Sequence, residues 1–188
     1  MNTTSNTPEV KKNDFRQNDN RSENRLGHRG EYKERPKPEY DEHVLQVDRV
    51  ARTVKGGKRI RFRALVIIGN RNGKVAIGVG KAAEVAIAVQ KASTIAKKHI
   101  LEVPITNETI PYPMNIHRGA VHIILKPAKP GTSVIAGGTI RVICNLAGIK
   151  NLVSKVLGSA NKINNAQAMM EGLEKMAKRY KEEGGDVK

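Results

Sequence analysis

Apolar and polar residues alternate over much of the first half of the chain, in a way that predicts strands. Residues 44–54 are rich in β-branched side chains with a break in the alternation, which predicts a strand that contains a β-bulge. Residues 59–68 begin with alternating arginines and end in an apolar run, which predicts a second strand. After the turn-forming pair Asn72-Gly73, the segment KVAIGVGK at residues 74–81 predicts a third strand. The three strands are expected to form an antiparallel meander.

The hydrophobic period then changes from two residues to about 3.6 residues. Between residues 83 and 99, valine, alanine and isoleucine recur at the spacing of one helical face. In the third strand, Val75, Ile77 and Val79 share the more apolar face. The predicted helix is therefore expected to pack on the apolar face of the sheet.

The second half of the chain combines strands and helices in a different order. Residues 105–119 open with a loop-like stretch that contains two prolines, and residues 120–126 predict a strand. Residues 139–147 predict a short helix with Gly148 as its C-terminal cap. Residues 150–159 predict a further strand.

A last helix is predicted after Ser159 or Asn161, because either side chain can cap a helix N-terminus. Its apolar stripe comprises Ala166, Met169, Met170, Leu173, Ala177 and Tyr180.

The predicted elements divide the chain into two domains with a polar segment at each end. Residues 41–104 form the first domain and residues 105–180 the second, so that the fold class is α+β. Residues 1–40 contain few apolar side chains and are expected to be disordered. Residues 181–188 are expected to be a flexible tail.

The net charge of the chain indicates a binding function. The 188 residues carry 34 Lys+Arg against 18 Asp+Glu, a formal net charge of +16, which favours a polyanionic partner. Between residues 43 and 100 there are thirteen basic residues but only two acidic ones, Asp48 and Glu84. The single cysteine, Cys144, excludes an internal disulfide and a CxxC zinc site. No apolar run is long enough to span a bilayer, so we expect a cytoplasmic protein without a membrane partner.

The second strand concentrates this charge. Arg59, Arg61 and Arg63 repeat at every second position and are expected to project on one side at intervals of about 6.6 Å, opposite the core face. The chain has no Trp and only two Phe, which disfavours base stacking and favours recognition of structured RNA by backbone and shape. The candidate RNA-binding residues are Arg49, Arg52, Thr53, Lys55, Gly56, Gly57, Lys58, Arg59, Arg61, Arg63, Arg71, Lys74 and Lys81.

An enzymatic alternative rests on Gly78, Gly80 and Ala83, which match the GxGxxG/A pattern of dinucleotide-binding sites. The strand of a dinucleotide-binding site must begin a parallel βαβ unit, whereas the predicted third strand follows a hairpin. The interpretation as an enzyme is therefore disfavoured. The two glycines either let a nucleic-acid backbone approach closely, or only relieve crowding or form a bulge.

Catalytic and metal sites find no support elsewhere in the sequence. His117 and His122 have no companion at metal-ligand spacing, and no catalytic set of side chains is apparent from spacing. We therefore expect no catalytic residue, metal, cofactor or small-molecule substrate.

Three segments together resemble one known family. They are RVARTVKGGKRIRFRALVIIGNRNGKVAIGVGKAAEV, KPAKPGTSVIAGGTIRVICNLAGIKN and KVLGSANKINNAQA, and the resemblance, to bacterial small-subunit ribosomal protein five, covers about residues 42–178. It implies an N-terminal domain like a double-stranded-RNA-binding domain and a C-terminal two-layer α/β domain. Ala86 stands where that family often has Pro, and the segment 1–40 is longer than the family requires.

The resemblance also implies a position and partners. It implies binding to 16S ribosomal RNA near the head–body junction of the small subunit, contact with proteins four and eight, a place beside the mRNA entry channel, and a part in translational accuracy. The loop from Thr53 through Val54, Lys55, Gly56 and Gly57 to Lys58 matches the family's head-facing, spectinomycin-associated loop. Gly131, Thr132 and Arg141 match the region that faces protein four. A free RNA-binding regulator, found off ribosomes, is the alternative function.

Overall fold

The structure, a computed structural model, describes residues 39–184 and contains two sheets and three helices within that range. The strands and helices, in chain order, are β1 (Asp41–Val54), β2 (Gly57–Gly69), β3 (Lys74–Ala82), α1 (Val85–Lys97), β4 (Leu101–Glu102), β5 (Met114–Arg118), β6 (Val121–Pro127), β7 (Val134–Ile135), α2 (Gly138–Ala147), β8 (Leu152–Gly158) and α3 (Lys162–Glu182). Residues 1–38 of the segment predicted to be disordered lie outside the described residues, and so do residues 185–188 of the predicted tail.

The first sheet is the predicted antiparallel meander, with strand order β1-β2-β3-β4. The expected bulge in β1 is confirmed, because the pairing register shifts between Val44 and Gln46. The two-residue strand β4 pairs with β3 and adds a fourth strand that the sequence did not indicate. The turn between β2 and β3 lies where it was predicted, but its positive φ angles occur at Arg71 and Gly73.

The predicted position of the helix on this sheet is wrong. Helix α1 covers the face of Ala64, Val66 and Ile68, where Gly78 and Gly80 also lie, and not the face of Val75 and Ile77. A Cβ added to Gly78 would stand 2.0 Å from the carbonyl oxygen of Ala92, and one added to Gly80 would stand 2.3 Å from that of Ala88. The two glycines therefore allow the helix backbone to lie directly on β3. This agrees with the alternative that they relieve crowding within the protein.

The second sheet has strand order β5-β6-β8-β7, in which only the β7–β8 pair is parallel. Strands β5 and β7 were not predicted, since β5 follows two prolines and β7 has only two residues. Helix α2 ends as predicted, at Gly148 with a φ of +91°. Helix α3 is capped by the side chain of Asn161, which accepts a hydrogen bond from the amide of Ile163 at 3.0 Å.

One large hydrophobic core joins the two sheets. It contains Leu65, Ile67 and Val75 from the first sheet together with residues of β5, β6, β8, α2 and α3. The second face of the first sheet is thus buried as well, against the C-terminal half of the chain. Helix α3 continues to Glu182, two residues into the predicted tail.

Candidate nucleic-acid interface

The β1–β2 hairpin extends beyond the core as an exposed arm. Every residue from Ala51 to Arg61 is exposed, because α1 and the second sheet cover only the far half of these strands. Val54 pairs with Gly57, so that Lys55 and Gly56 form a two-residue turn. Gly56 has a φ of +88°, in the left-handed region that glycine adopts without steric cost.

Cations from three strands share one face of the sheet along this arm and at its base. Arg52 lies opposite Arg59 across the β1–β2 ladder, and Lys81 lies opposite Arg63 across the β2–β3 ladder. Directly opposite residues share a face of an antiparallel sheet. A shallow cleft of about 330 Å³ is lined by Val50, Ala51, Arg52, Arg59, Arg61 and Lys81.

Arg59, Arg61 and Arg63 share a face as predicted, but it is not the face opposite the core. By alternation it is the same face that carries Leu65 and Ile67, which enter the core shared with the second sheet. Arg59, Arg61 and Arg63 therefore lie on the part of this face that extends beyond the core. This places the cations beside the C-terminal half of the chain.

Arg63 differs from its two neighbours because it is neutralised within the protein. Its Nη2 and Nε atoms donate to Oδ2 of Asp48 at 2.7 and 3.2 Å, and Gln46 donates to the other carboxylate oxygen at 2.5 Å. The hydrogen bonds from Arg63 and then from Gln46 lower the pKa of Asp48 below its usual value. The sequence identified Asp48 only as one of two acidic residues between residues 43 and 100 and did not indicate this pairing.

Seven other predicted cations, here called the hairpin cations, have no ion-pair partner within residues 39–184. They are Arg49, Arg52, Lys55, Lys58, Arg59, Arg61 and Lys81. Like charges this close repel one another, and that repulsion is relieved when an anion binds between them. Arg52, Arg59, Arg61 and Lys81 share one face and form a surface suited to a polyanion, whereas Arg49 and Lys58 project from the other face.

The structure separates the remaining predicted cations from this group. Arg71 and Lys74 lie at the opposite end of the sheet, about 20 Å away along β3 at roughly 3.3 Å per residue. Arg71 pairs with Asp41 at 2.8 Å, and Lys74 pairs with Glu102 at 3.6 Å. Within the hairpin cations, Arg49 lies opposite Phe62 and so projects from the face that α1 covers farther along.

The predicted protein-interface residues lie in the second domain, around a buried asparagine. The Oδ1 atom of Asn151 accepts hydrogen bonds from the amides of Gly131 at 3.1 Å and Ser133 at 3.2 Å, with Thr132 between them. Arg141 is exposed on α2 and lines a cleft together with Arg71 and with Ser133 of this loop. Asn151 thus shapes the 131–133 loop, a role that its position in the sequence did not indicate.

The dinucleotide interpretation does not fit this geometry. Gly78 and Gly80 pair with β2 in an antiparallel ladder and are covered by α1, so that they offer no exposed turn for a pyrophosphate. The part of the chain that the structure describes also includes no helix with the length and apolar character needed to cross a membrane.

Fold and charge together define a two-domain α+β protein with an exposed cationic arm. The family model for the N-terminal domain of ribosomal protein S5 matches residues 40–104, and the model for its C-terminal domain matches residues 117–182. The chain therefore belongs to the ribosomal protein S5 family, whose members are structural components of the small ribosomal subunit and not enzymes.

Individual relatives agree with this assignment. The chain is 48% identical over 141 residues to small ribosomal subunit protein uS5c of Cyanophora paradoxa, which covers 74% of this chain and 83% of that protein. It is 48% identical over 136 residues to uS5 of Thermosynechococcus vestitus, covering 72% of this chain and 78% of the relative. It is 46% identical over 138 residues to uS5 of Thermotoga neapolitana, covering 73% and 78%.

Proposed function

We propose that the chain binds 16S ribosomal RNA in the small subunit through the hairpin cations. The observation that carries this proposal is the uneven pairing of charge along the first sheet. Arg71 and Lys74, near the core, each have a carboxylate partner, whereas the hairpin cations have none among the described residues. Phosphate groups of RNA supply the missing negative charge and release bound counterions on contact.

Recognition in this proposal depends on backbone and shape. The face that carries Arg52, Arg59, Arg61 and Lys81 presents no aromatic side chain among the described residues, so stacking of bases on it is disfavoured. The strands of the arm are paired along their full length, up to the two-residue turn. The sheet therefore holds its cations at fixed spacing, which suits an RNA helix of matching phosphate spacing.

We also propose a position for the chain within the small subunit, on the basis of its family membership. The arm lies near the junction of head and body, with the loop from Thr53 to Lys58 directed to the head. Gly131, Thr132 and Arg141 contact small-subunit protein four, and protein eight is a second neighbour. The chain works on cytoplasmic ribosomes, borders the mRNA entry channel and contributes to translational accuracy.

Charge reversal in the arm tests the RNA contact. Arg61→Glu is expected to weaken binding to a 16S RNA fragment about tenfold and to lower incorporation into subunits, because it replaces a phosphate contact by repulsion. Lys175→Glu is the control, since Lys175 is exposed on α3 and likewise lacks an ion-pair partner within the described residues. Filter binding and sucrose-gradient sedimentation give the two readouts.

The salt dependence of the affinity for the RNA fragment is a second test of the RNA contact. If about six hairpin cations contact phosphates, the log-log slope of affinity against salt is about −5, and Arg61→Glu makes it shallower by about one. A flat salt dependence, or equal losses for the two variants, would reject the hairpin cations as the RNA contact. Sedimentation of the unmodified chain away from ribosomes would favour the free RNA-binding regulator.

A further inference from the structure

A carboxylate lies among the cations at the base of the β1–β2 hairpin. Asp48 of β1 lies opposite Arg63 of β2, and Arg63 lies opposite Lys81 of β3, so that the three residues form one row across the sheet. Arg61 belongs to the next row toward the turn, about 6.6 Å farther along the strand. An acidic group in this row weakens the attraction for phosphate, so Asp48 cannot act as the hairpin cations do.

Asp48 occupies only one edge of the Arg63 guanidinium. Nε and Nη2 both donate to Oδ2, at 3.2 and 2.7 Å. A guanidinium has five N–H groups, so both hydrogens of Nη1 and the second hydrogen of Nη2 are left over. None of these three donates to another side chain within residues 39–184. Because Nη1 and Nη2 together form a fork that binds phosphate through two hydrogen bonds, the edge suited to phosphate is free.

A chain of hydrogen bonds fixes the direction of this free edge. Gln46 donates to Oδ1 of Asp48 at 2.5 Å, and so holds the carboxylate that in turn holds Arg63. The side chains of Arg63 and Asp48 are 32% and 24% exposed, so that the pair is accessible but supported by its surroundings. Arg61, in contrast, is exposed and has no ion-pair partner among the described residues. Arg63 therefore loses less rotamer freedom than Arg61 when it binds an anion.

The pair also separates direction from attraction. The hydrogen bonds from Arg63 and then from Gln46 lower the pKa of Asp48, so that its carboxylate is ionised at neutral pH and offsets the charge of Arg63. The hairpin cations attract RNA at any position, because long exposed side chains can follow a phosphate. A guanidinium held in one orientation binds only where the shape of the RNA places a phosphate opposite its free edge.

We propose that Asp48 is a positioning residue, which holds Arg63 so that the free Nη1 and Nη2 edge selects RNA by the position of one phosphate. The inference rests on the proposed function, because the hairpin cations bring the RNA to this face. Lys81, which flanks Arg63 on the side away from Asp48, adds positive charge for the same phosphate. Arg63 thus determines which RNA shapes fit, and the hairpin cations determine how strongly RNA is attracted.

Lysine substitutions in the full chain test the role of the fork. Arg63→Lys keeps the charge but removes the forked edge, and Arg61→Lys is the matched control one row away. Filter binding compares the affinity for a 16S RNA fragment with that for a fully paired RNA duplex of equal length. We expect Arg63→Lys to lower the ratio of the two affinities about tenfold with an unchanged salt slope, whereas Arg61→Lys weakens both RNAs alike. Equal effects of the two substitutions on the ratio would overturn the proposal.

Asp48→Asn tests the positioning itself. The variant gains one positive charge, so its affinity for the duplex should rise about twofold, whereas the ratio of fragment to duplex affinity should fall about tenfold. In the double variant with Arg63→Lys the ratio should fall no further, because both substitutions remove the same directed contact. A rise for both RNAs with an unchanged ratio would show that Asp48 only repels phosphate, and additive losses would equally overturn the positioning role.

Two controls separate these results from unfolding and from failure of the proposed function. Urea unfolding of each variant shows whether the fold is kept, and Arg63→Lys, which retains a cation beside Asp48, decides if Asp48→Asn unfolds. A flat salt dependence of the unmodified chain for both RNAs would reject the hairpin cations as the RNA contact. A steep salt dependence together with a ratio that Arg63→Lys does not change would reject only the role of Arg63 and Asp48.

Discussion

At the scale of single residues, two glycines of β3 determine how closely α1 can approach the sheet. Gly80→Ala would place a Cβ 2.3 Å from the carbonyl oxygen of Ala88, a backbone atom that can move only with the helix. We expect this substitution to lower the free energy of unfolding by about 1–3 kcal/mol, measured by urea denaturation.

The matched control for that substitution is Gly138→Ala in the first turn of α2. No atom lies within 4 Å of its added Cβ, and alanine favours helix, so that stability should stay equal or rise by about 0.5–1 kcal/mol. Equal losses for the two substitutions would show that close packing of α1 on β3 is not the cause.

The pair of Asp48 and Arg63 links charge in the arm to pH. Because its hydrogen bonds lower the folded pKa of Asp48, the stabilisation is present above the unfolded value of about 3.9 and is lost as pH falls through the folded pKa. We expect Asp48→Asn to cost about 0.5–1 kcal/mol at pH 7, with the difference from wild type shrinking below about pH 4. Urea denaturation at pH 7 and pH 3 measures it, and a constant difference would contradict the pairing.

At the scale of elements, the turn of the β1–β2 hairpin is the part of the arm farthest from the core. Gly56→Asp adds a negative charge between Lys55 and Lys58, and aspartate tolerates the positive φ better than most residues. No atom lies within 4 Å of the added Cβ, so the fold should be retained. We expect subunits to assemble and the growth response to spectinomycin to change in a strain that carries only this variant.

Gly56→Asn is the control for the turn, because it has nearly the same shape and backbone cost without the charge. A strain with Gly56→Asn should respond to spectinomycin as the wild type does if charge at the turn is responsible. Unfolding or failed assembly of both variants would instead assign the glycine a structural role.

The strands and helices themselves were largely predictable, but their faces were not. Alternation indicates β1, β2 and β3 because each has distinct side-chain classes on its two faces. It could not indicate the face that α1 covers, since Ala64 and Val66 on one side and Leu65 and Ile67 on the other are all buried. Arg71 was predicted to bind RNA together with the cations of the β1–β2 hairpin, whereas the strand register places it at the far end of the sheet.

At the scale of the whole molecule, the two sheets are joined where the β2–β3 turn meets the end of α2. The amide of Arg71 donates to the carbonyl oxygen of Leu146 at 2.9 Å, and that of Gly73 to Ala147 at 2.8 Å. A Cβ on Gly148 would stand 2.0 Å from the carbonyl oxygen of Arg71. This junction holds the β1–β2 hairpin in a fixed relation to the second sheet.

Gly148→Ala is therefore expected to destabilise the entire described unit. Gly148 has a φ of +91°, and Gly131 has a φ of +90° with no atom within 4 Å of an added Cβ, so Gly131→Ala measures the backbone cost alone. We expect urea denaturation to show a loss of about 1 kcal/mol for Gly131→Ala and about 2–4 kcal/mol for Gly148→Ala. Hydrogen exchange should show the loss in β2 and β6 alike, because both sheets share the core. A loss confined to β6, or equal losses for the two substitutions, would mean that the junction does not couple the sheets.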